Sequence, residues 1–548
     1  MFNKNTRKLG LAALALVGSI CLTSCGGTSG SDGSENTGNT SENISVDQGI
    51  YDTSKLADDL VKGEDGKVTF DEPITLKVWS IIGSPDDVIY KKLISQFNQE
   101  YSGMINLDVT YVGHFDFYKS LDDTYATDFD ASFPDICFMH NEKTIEYAAK
   151  DYLYCLDDLF DKTTVDFDFD QVYSNIDRVT KLDGHRFAIP VDAHGFLTSF
   201  RQDIIKKNGL GFDDNGDGTN DRYTPQSRAE YQSLLTSLRT KADAGTLLTR
   251  NINKGSNHAW TKASSASFYP EFTQSTDPDG LSALYANGGT MANGQTKVNF
   301  QNSEGFQTYL TDQVNYYNGR LMGESGTNTE MFGAGNTVMF SEGPWWISET
   351  YNLSYNNSDL KKAGTLGVTE EDATDPVYNT PYVASHPQGW WTLDANKNSD
   401  TAQKWYGNGH AISLTKHITS TQKAAAALTF AKWFTQGGDF TDETNPQYNL
   451  ATWANAGHLP AWKNVFASAD YKSKVANNMT LSALGDPSDI IAMEGLTYET
   501  TIFTGVVNSV SAVQAALKSS TGCTTSKAIE ILNQSAQSAQ DALDLLNI

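Results

Sequence analysis

The sequence predicts an α/β protein of two lobes, in which mixed sheets are flanked by helices. Strands and helices alternate in the first part of the body, and amphipathic helices dominate its end. The length of 548 residues allows two hydrophobic cores without disulfide or metal support. Ligands of such sheets bind beyond the strand ends, so polar residues at those ends are the first candidates for a site.

The N-terminus is typical of an export signal, which we assign to residues 1–24. Basic residues precede a short apolar stretch, residues 9–22, which is too short for a stable membrane span. Cys25 follows small residues and resembles the lipidated cysteine of bacterial lipoproteins; ordinary secretory cleavage is the alternative. The resemblance implies acyl chains on Cys25 and attachment to the outer face of the cell membrane, or its periplasmic side where an outer membrane exists.

A flexible tether is predicted for residues 25–49, which are rich in Gly, Ser, Asn, Thr and acids. A short extension, residues 50–73, connects it to the body. Three cysteines remain beyond the lipidation site, and they match no metal-binding spacing. We expect buried thiols or one optional bridge among Cys137, Cys155 and Cys523.

The first part of the body predicts strand, helix, strand and a further strand. Residues 74–80 are β-branched and aromatic, and apolar side chains recur at helical spacing over residues 90–101. Residues 107–112 and 134–139 are again typical of strands. A parallel or mixed sheet with covering helices follows from this order.

Two later helices are predicted from their ends and their faces. Ser420 is placed to cap a helix that ends near Gly437. The last helix shows the clearest spacing, with apolar residues three and four apart: Ile529, Leu532, Ala536, Ala539, Leu543 and Leu546.

The charge balance excludes several classes of partner. The chain has 40 Lys and Arg against 67 Asp and Glu, a formal net charge of −27. Nucleic acids and anionic lipid surfaces both require clustered cations, so neither is an expected partner. A neutral small ligand fits this balance best.

Four segments, taken in order, resemble bacterial extracellular solute-binding proteins of the maltose-binding-protein-like kind, the capture subunits of ABC sugar importers. They are residues 134–148 (a strand, a polar tip and a helix), 181–194, 336–345 with its Gly-Pro-Trp ending, and, more weakly, 457–461. The lipoprotein signal ahead of them strengthens the resemblance.

The resemblance implies a two-lobed periplasmic-binding-protein-like fold of type II, with a hinge of crossing strands. The first crossing is expected near residues 190–195, the second near 375–405 and a third later in the chain. Lobe 1 would comprise residues 74–190 and 380–465, and lobe 2 residues 191–379 and 466–548. A carbohydrate held in the cleft, ABC permease subunits as partners, a monomeric state and no enzymatic activity are also implied.

The tip His140-Asn141-Glu142-Lys143 lies where the family places sugar contacts of the first lobe. A saccharide has hydroxyls on its rim and C–H groups on its faces, so its site combines carboxylates and amides with flat aromatic rings. Glu142 would accept from hydroxyls and Lys143 would donate. The alternative is a solvated loop end. Met139 replaces a familiar aromatic residue here.

Asp192 and His194 are expected at the first crossing, where both lobes line the cleft. The alternatives are a turn hydrogen bond by Asp192 and a half-buried His194. Glu342 and Trp345 frame a Gly-Pro pair that turns the chain, and Trp345 is the expected stacking wall.

Other candidate contacts are weaker. Trp79 and Ser84 lie at the end of the first predicted strand, and Trp391 and His410 lie near the second crossing. Tryptophan in such positions is often a core residue, which is the alternative for Trp79 and Trp391.

A calcium loop is the one cofactor site that the sequence suggests. Asp213, Asn215, Asp217 and Asp221 follow the D-x-[DN]-x-[DN]-G pattern, which gathers oxygens around Ca²⁺. Thr224 stands at the twelfth position instead of the bidentate Glu. An Asx-rich turn held by its own backbone bonds is the alternative.

Two other functions remain open from the sequence. A surface glycoside hydrolase would need two carboxylates, which Glu142, Asp192 and Glu342 could supply. Alternatively, the same capture role would serve a peptide or a polyamine.

Overall fold

The structure is a computed structural model, and the residues that it describes are 48–546 apart from 64–67, 71, 85, 254–255, 274–276, 324–327, 345–383, 438–446, 477–478 and 492–493. The predicted export signal, the lipidation site Cys25 and most of the tether lie outside the described residues. So does Trp345, the expected stacking wall.

Strands and helices alternate over most of the described chain. The strands are β1 Val61–Lys62, β2 Val68–Thr69, β3 Ile74–Ser80, β4 Ile105–Tyr111, β5 Ile136–His140, β6 Lys181–Leu182, β7 His185–Arg186, β8 Ile189–Pro190, β9 Asp192–Gly195, β10 Leu197–Phe200, β11 Leu248–Arg250, β12 Trp260–Lys262, β13 Glu271–Thr273, β14 Ala292–Asn293, β15 Lys297–Val298, β16 Met322–Gly323, β17 Met339–Glu342, β18 Ala384–Pro387, β19 Trp405–Asn408, β20 His410–Leu414, β21 Leu459–Pro460 and β22 Ile490–Ile491.

The α-helices lie between these strands and after them. They are α1 Asp87–Glu100, α2 His114–Thr127, α3 Phe129–Ser132, α4 Lys143–Ala149, α5 Asp157–Thr163, α6 Ser174–Asp177, α7 Gln202–Lys207, α8 Arg228–Asp243, α9 Asp277–Tyr285, α10 Glu304–Asn318, α11 Asn328–Ala334, α12 Thr421–Gln436, α13 Asn449–Trp453, α14 Lys463–Ala467, α15 Ala469–Val475, α16 Met479–Leu484, α17 Glu499–Lys518 and α18 Thr525–Leu546. The predicted α/β class is confirmed.

Two mixed sheets of similar design form the centres of the lobes. In the first, the order is β4-β3-β5-β20-β8, with β4, β3 and β5 parallel and β20 antiparallel to both of its neighbours. In the second, the order is β16-β13-β17-β10-β18, with β16, β13 and β17 parallel and β10 antiparallel to β17 and β18. Long return connections explain the parallel pairs, because parallel strands cannot be joined by a tight turn.

A third sheet, of order β21-β9-β19-β22, connects the two lobes. β9 carries the chain from β8 of the first sheet to β10 of the second, and β19 leads back into β20 of the first. These are the crossing strands that the resemblance implies. The chain passes to the second lobe again after β22, on its way to α17.

Several elements begin and end where the sequence predicts them. The first strand is observed at Ile74–Ser80. The next helix, α1, buries Tyr90, Leu93 and Phe97 against the sheet. In α12, the hydroxyl of Ser420 accepts from the backbone N–H of Lys423, and Gly437 ends the helix with a φ of 88°.

The last helix, α18, packs the predicted face against the second lobe. Leu532, Ala536, Ala539 and Leu543 are buried. The two ends of the predicted apolar face are less buried than its centre: Leu546 is 53% exposed and Ile529 is only partly buried.

Two hydrophobic cores divide the chain. The first core draws on residues 50–197 and 405–490, and the second core draws on residues 200–406 and 496–543. Trp391 packs in the second core and Tyr471 in the first. The predicted lobe limits at 380 and 465 stay predictions.

The cysteines and one apolar helix fit this packing. Cys137, Cys155 and Cys523 are buried free thiols. By length and composition α17 could cross a membrane, a test that core helices also pass. Its buried face belongs to the second core, and a Cβ on Gly505 would lie 2.7 Å from the Cβ of Ala539 on α18.

Candidate functional site

The candidate site lies where the end of β5 meets the crossing strands. β5 pairs with β20 so that His140 lies opposite His410, and the backbone N–H of Asn141 donates to the carbonyl of Gly409 over 2.9 Å. This pairing brings together these predicted ligand residues: His140, Asn141, Glu142, Lys143, Asp192, His194 and His410. We call residues 140–143 the β5 tip.

Two glycines allow the strands to approach closely. A Cβ on Gly409 would collide with the carbonyl oxygen of Asp192 and lie 2.7 Å from the amide nitrogen of Asn141. A Cβ on Gly195 would collide with the indole of Trp405. Close backbone approach therefore restricts both positions to glycine.

The β5 tip is buried, and part of its hydrogen-bonding capacity is unmet. Asn141 is 1% exposed and Glu142 is 3% exposed. Among the described residues, the amide oxygen and nitrogen of Asn141 and the Oε2 of Glu142 have no hydrogen-bond partner. A buried polar atom without a partner costs about 1–3 kcal/mol. A ligand rich in hydroxyl groups would supply the missing partners.

Burial also sets the charge state of the tip. It raises the pKa of Glu142 to about 7, although Lys143 and a hydrogen bond with Asn408 act in the opposite direction. Near neutral pH this carboxyl can therefore either donate or accept a hydrogen bond.

The tip also joins the two cores. The Nζ of Lys143 donates to the hydroxyl of Thr500 in α17 over 2.7 Å and lies 3.5 Å from the Oε2 of Glu146. Glu499, next to Thr500, is fully buried, and its burial raises its pKa to about 8. Lys143 is thus already engaged in a bond between α4 and α17, whereas the sequence predicted it as a donor to the ligand.

Beside the tip lies a buried group that we call the histidine cluster: Asp192, His194, His410 and His458, each at most 5% exposed. The carboxylate of Asp192 accepts from the Nδ1 of His410 at 2.9 Å and from the indole Nε1 of Trp453 at 2.5 Å. The Nδ1 of His194 lies 3.5 Å from Asp192 and 3.2 Å from the Nδ1 of His458.

The electrostatics of the histidine cluster follow from burial and proximity. Burial would raise the pKa of Asp192, but His410 and His458 hold it well below its usual range. Burial lowers the pKa of His194 to about 4. The Nε2 of His458 lies 3.1 Å from the carboxylate of Asp86, at the start of α1.

No protein-family model matches the sequence, and a search of curated proteins returns no match. Solved structures do match in fold. UgpB from Mycobacterium tuberculosis in complex with glycerophosphocholine aligns with a TM-score of 0.59 at 14% identity, covering 86% of this chain and 99% of that chain. The fold is that of the periplasmic binding proteins.

Two further structures agree with this assignment. The GacH receptor of Streptomyces glaucescens GLA.O, solved unliganded and with acarbose, aligns with a TM-score of 0.56 at 13% identity over 85% of this chain and 98% of that chain. The ABC substrate-binding protein Lmo0181 from Listeria monocytogenes, in complex with cycloalternan, gives 0.54 at 14% identity over 87% and 99%. At these identities the likeness shows a periplasmic-binding-protein fold and leaves the ligand open.

The remaining predicted contacts lie elsewhere in this fold. Trp79 is half-buried against the first core, and Ser84 is exposed. Glu342 ends β17 and accepts the backbone N–H of Gly343 over 3.0 Å. Trp391 is 2% exposed and packs against Tyr309 and Tyr231 in the second core. Ligand contact by Trp391 stays a prediction.

Sequence reasoning missed the partners that complete the site. His458 lies in the segment 457–461 that carried the resemblance, but it was not singled out as a site residue. Asp86, Trp453 and Asn408 gave no signal of their own. Each becomes a neighbour of the site only when distant strands pair.

The aspartate loop, residues 213–221, is exposed and holds itself together. The carboxylate of Asp213 accepts the backbone N–H groups of Gly216 and Gly218, both over 2.7 Å, and that of Asp217 over 3.2 Å. The Oδ1 of Asn215 also accepts from Asp217, and Asp221 accepts from the backbone of Asp214. This is the pattern of an Asx-rich turn, the second of the two interpretations that the sequence leaves open.

A cavity of about 590 Å³ is lined in part by Trp405 and by none of the residues of the β5 tip or the histidine cluster. His386, Trp405 and Asp489 line it together with Gln226. Its volume is in the range of small-molecule pockets, so it is the second place at which a ligand would fit.

Proposed function

We propose that this chain is the solute-binding component of an ABC importer and captures a sugar or oligosaccharide between its lobes. The observation that carries the proposal is the unmet hydrogen-bonding capacity of Asn141 and Glu142, buried where the two cores meet. Structural neighbours in complex with acarbose and cycloalternan support this class of ligand.

Binding a sugar requires groups that accept hydrogen bonds from its hydroxyls and groups that donate hydrogen bonds to them. The amide of Asn141 does both, and the carboxyl of Glu142, with its pKa near 7, does either. Closure of the lobes would be driven by tighter binding to the closed than to the open arrangement. The crossing strands β9 and β19 are the natural hinge, since they connect the two large sheets.

A further proposal concerns the attachment of the protein to the membrane. We propose that acyl chains on Cys25 hold the protein at the outer face of the cell membrane, where it delivers its ligand to the permease. Labelling with a radioactive fatty acid tests the anchor: the wild-type chain incorporates label, and Cys25→Ser neither incorporates it nor remains with the membrane fraction. Label on Cys25→Ser would contradict the assignment.

A second candidate ligand is a non-sugar polar solute, because one structural neighbour is in complex with glycerophosphocholine. The protein would capture either ligand in the same role, so a competition experiment between a sugar and the non-sugar solute distinguishes them. A glycoside hydrolase remains the enzymatic alternative, and cleavage products from incubated oligosaccharides would establish it.

Isothermal titration against linear and cyclic oligosaccharides and glycerophosphocholine tests the proposal. Glu142→Ala and Asn141→Ala should each weaken binding about 10-fold or more, since each removes hydrogen bonds that together contribute about 1.5 kcal/mol or more. Gln226→Ala, which alters the separate cavity, and Glu494→Ala, at a half-buried glutamate that accepts from the backbone of Met291 and Ala292, serve as controls. Absence of binding to the whole panel by folded protein would contradict sugar capture, and loss on Gln226→Ala alone would move the site to the cavity.

A further inference from the structure

The histidine cluster has the composition and spacing of a metal site. One atom each from Asp192, His194, His410 and His458 lies within 4.8 Å of the others. The three histidines all present Nδ1 toward the carboxylate of Asp192. Three imidazole nitrogens and a carboxylate oxygen are ligands that Zn²⁺ and related divalent transition metals prefer.

Three distances between the candidate ligand atoms are close to the edges of a coordination tetrahedron, and a fourth is longer. Ligands about 2.0–2.1 Å from a central Zn²⁺ lie roughly 3.3–3.4 Å apart. The Nδ1 atoms of His194 and His458 are 3.2 Å apart, and the Oδ1 of Asp192 lies 3.1 Å from the Nδ1 of His410, 3.5 Å from that of His194 and 4.0 Å from that of His458. Small rotations of the side chains would equalise these edges.

We propose that Asp192, His194, His410 and His458 bind one divalent transition-metal ion of the Zn²⁺ class in a closed structural site. Four protein ligands leave no open position for water or substrate, which separates structural from catalytic sites. The proposal goes beyond solute capture and does not depend on it.

The surrounding residues orient the ligands as they do in known metal centres. Metal-bound histidines usually donate their other ring N–H to a carboxylate. His458 does so toward Asp86 over 3.1 Å, which directs its Nδ1 inward. The second oxygen of Asp192 accepts from Trp453. With a divalent cation, the two carboxylates of Asp192 and Asp86 would make the centre neutral.

The ion would join three parts of the chain at the base of the lobes. His194 lies on β9, His410 on β20, and His458 just before β21. β9 is a crossing strand, and β20 directly follows the other crossing strand, β19. Metal binding would therefore fix the crossing strands to one another and stiffen the hinge.

Metal analysis of the full chain, purified without an affinity tag, tests the site. After removal of metal by a chelator and incubation with Zn²⁺, we expect about one ion per chain and a higher melting temperature. His458→Gln should retain at least ~10-fold less Zn²⁺ and show no thermal shift. His185→Gln is the matched control, because it alters the other group with metal-ligand spacing, Cys155, Asp157 and His185, and it should bind like wild type.

The outcomes separate the alternatives. A wild-type chain that takes up no Zn²⁺, a His458→Gln variant that binds as wild type, or loss of the ion on His185→Gln would each overturn the proposal. If His458→Gln fails to fold, wild type loaded with Co²⁺ decides: an intense tetrahedral visible spectrum supports the site, and a weak octahedral one contradicts it. Oligosaccharide titration of the metal-free protein is read separately, so failure of solute capture would not be mistaken for failure of the metal site.

Discussion

Two polar regions look alike in the sequence and differ in the structure: the β5 tip with its histidine cluster, and the aspartate loop. The loop is exposed, and its carboxylates already accept the backbone N–H groups of its own turn. The tip is buried, and atoms of Asn141 and Glu142 lack partners among the described residues. Two dense groups of polar residues therefore differ both in burial and in how far their hydrogen-bonding capacity is met.

The largest expected difference between the two regions comes from removing one carboxylate from each. Asp192→Ala leaves the imidazole of His410 and the indole of Trp453 buried without their acceptor. We expect the free energy of unfolding to fall by about 3–5 kcal/mol. Asp213→Ala removes an exposed carboxylate from a turn, so its effect should be much smaller. Urea denaturation of metal-free protein measures both free energies, and equal losses would contradict the expected difference between the two regions.

The pH dependence of stability should have opposite signs in the two regions. Burial raises the pKa of Glu499 from 4.5 to about 8, helped by Glu142 and Glu494 and opposed by Lys143. Between these values the unfolded chain has lost a proton that the folded chain keeps, so stability falls as pH rises. Glu499→Gln should flatten this fall by on the order of 2–4 kcal/mol between about pH 5 and about pH 8.

The aspartate loop should show the opposite dependence of stability on pH. Backbone N–H groups, first that of Gly218, lower the pKa of Asp213 below 3.8. Its contribution is therefore present above that value and is lost as pH falls through the folded pKa. Asp213→Asn should change the stability curve in acid and leave the slope above pH 5 unaltered. Equal slopes for wild type and Glu499→Gln would contradict the expected titration of Glu499.

Much of the fold could be predicted because its signals are local. The alternation at Ile74–Ser80 and the capping residues Ser420 and Gly437 act within one element, so the observed limits agree with the predicted ones. The histidine cluster could not be predicted in full. His194 and His458 are 264 residues apart, and their ring nitrogens meet only because β9 pairs with β21.

Trp391 is a residue whose surroundings could not be predicted from the sequence. An aromatic residue suits both a sugar face and a core, and the sequence does not distinguish them. Its neighbours Tyr231 and Tyr309 lie on α8 and α10, and they place its ring in the second core. Position near a crossing therefore does not by itself determine whether an aromatic ring packs in a core.

Glycine substitutions in the two regions distinguish the effect of a steric contact from the effect of backbone conformation. Gly409→Ala would place a Cβ against the carbonyl of Asp192 and the amide of Asn141, so we expect a loss of about 3 kcal/mol and altered ligand binding. Gly216→Ala has open space around its Cβ but a φ of 75°, so it should cost about 1 kcal/mol without affecting ligand binding. Thermal unfolding and ligand titration of both variants test this. Unchanged stability and ligand binding in Gly409→Ala would show that the strands can accommodate the added methyl group.

The smallest expected effect is that of calcium on the aspartate loop. Both oxygens of Asp213 already accept backbone N–H groups, and Thr224 replaces the bidentate Glu of the calcium motif. Adding Ca²⁺ at about 1 mM, the range of weak extracellular sites, should leave the melting temperature unchanged. A rise in the melting temperature that Asp217→Asn abolishes would establish the calcium site instead. Exposed and internally bonded carboxylates would then also form a site, and unmet hydrogen-bonding capacity would no longer separate the two regions.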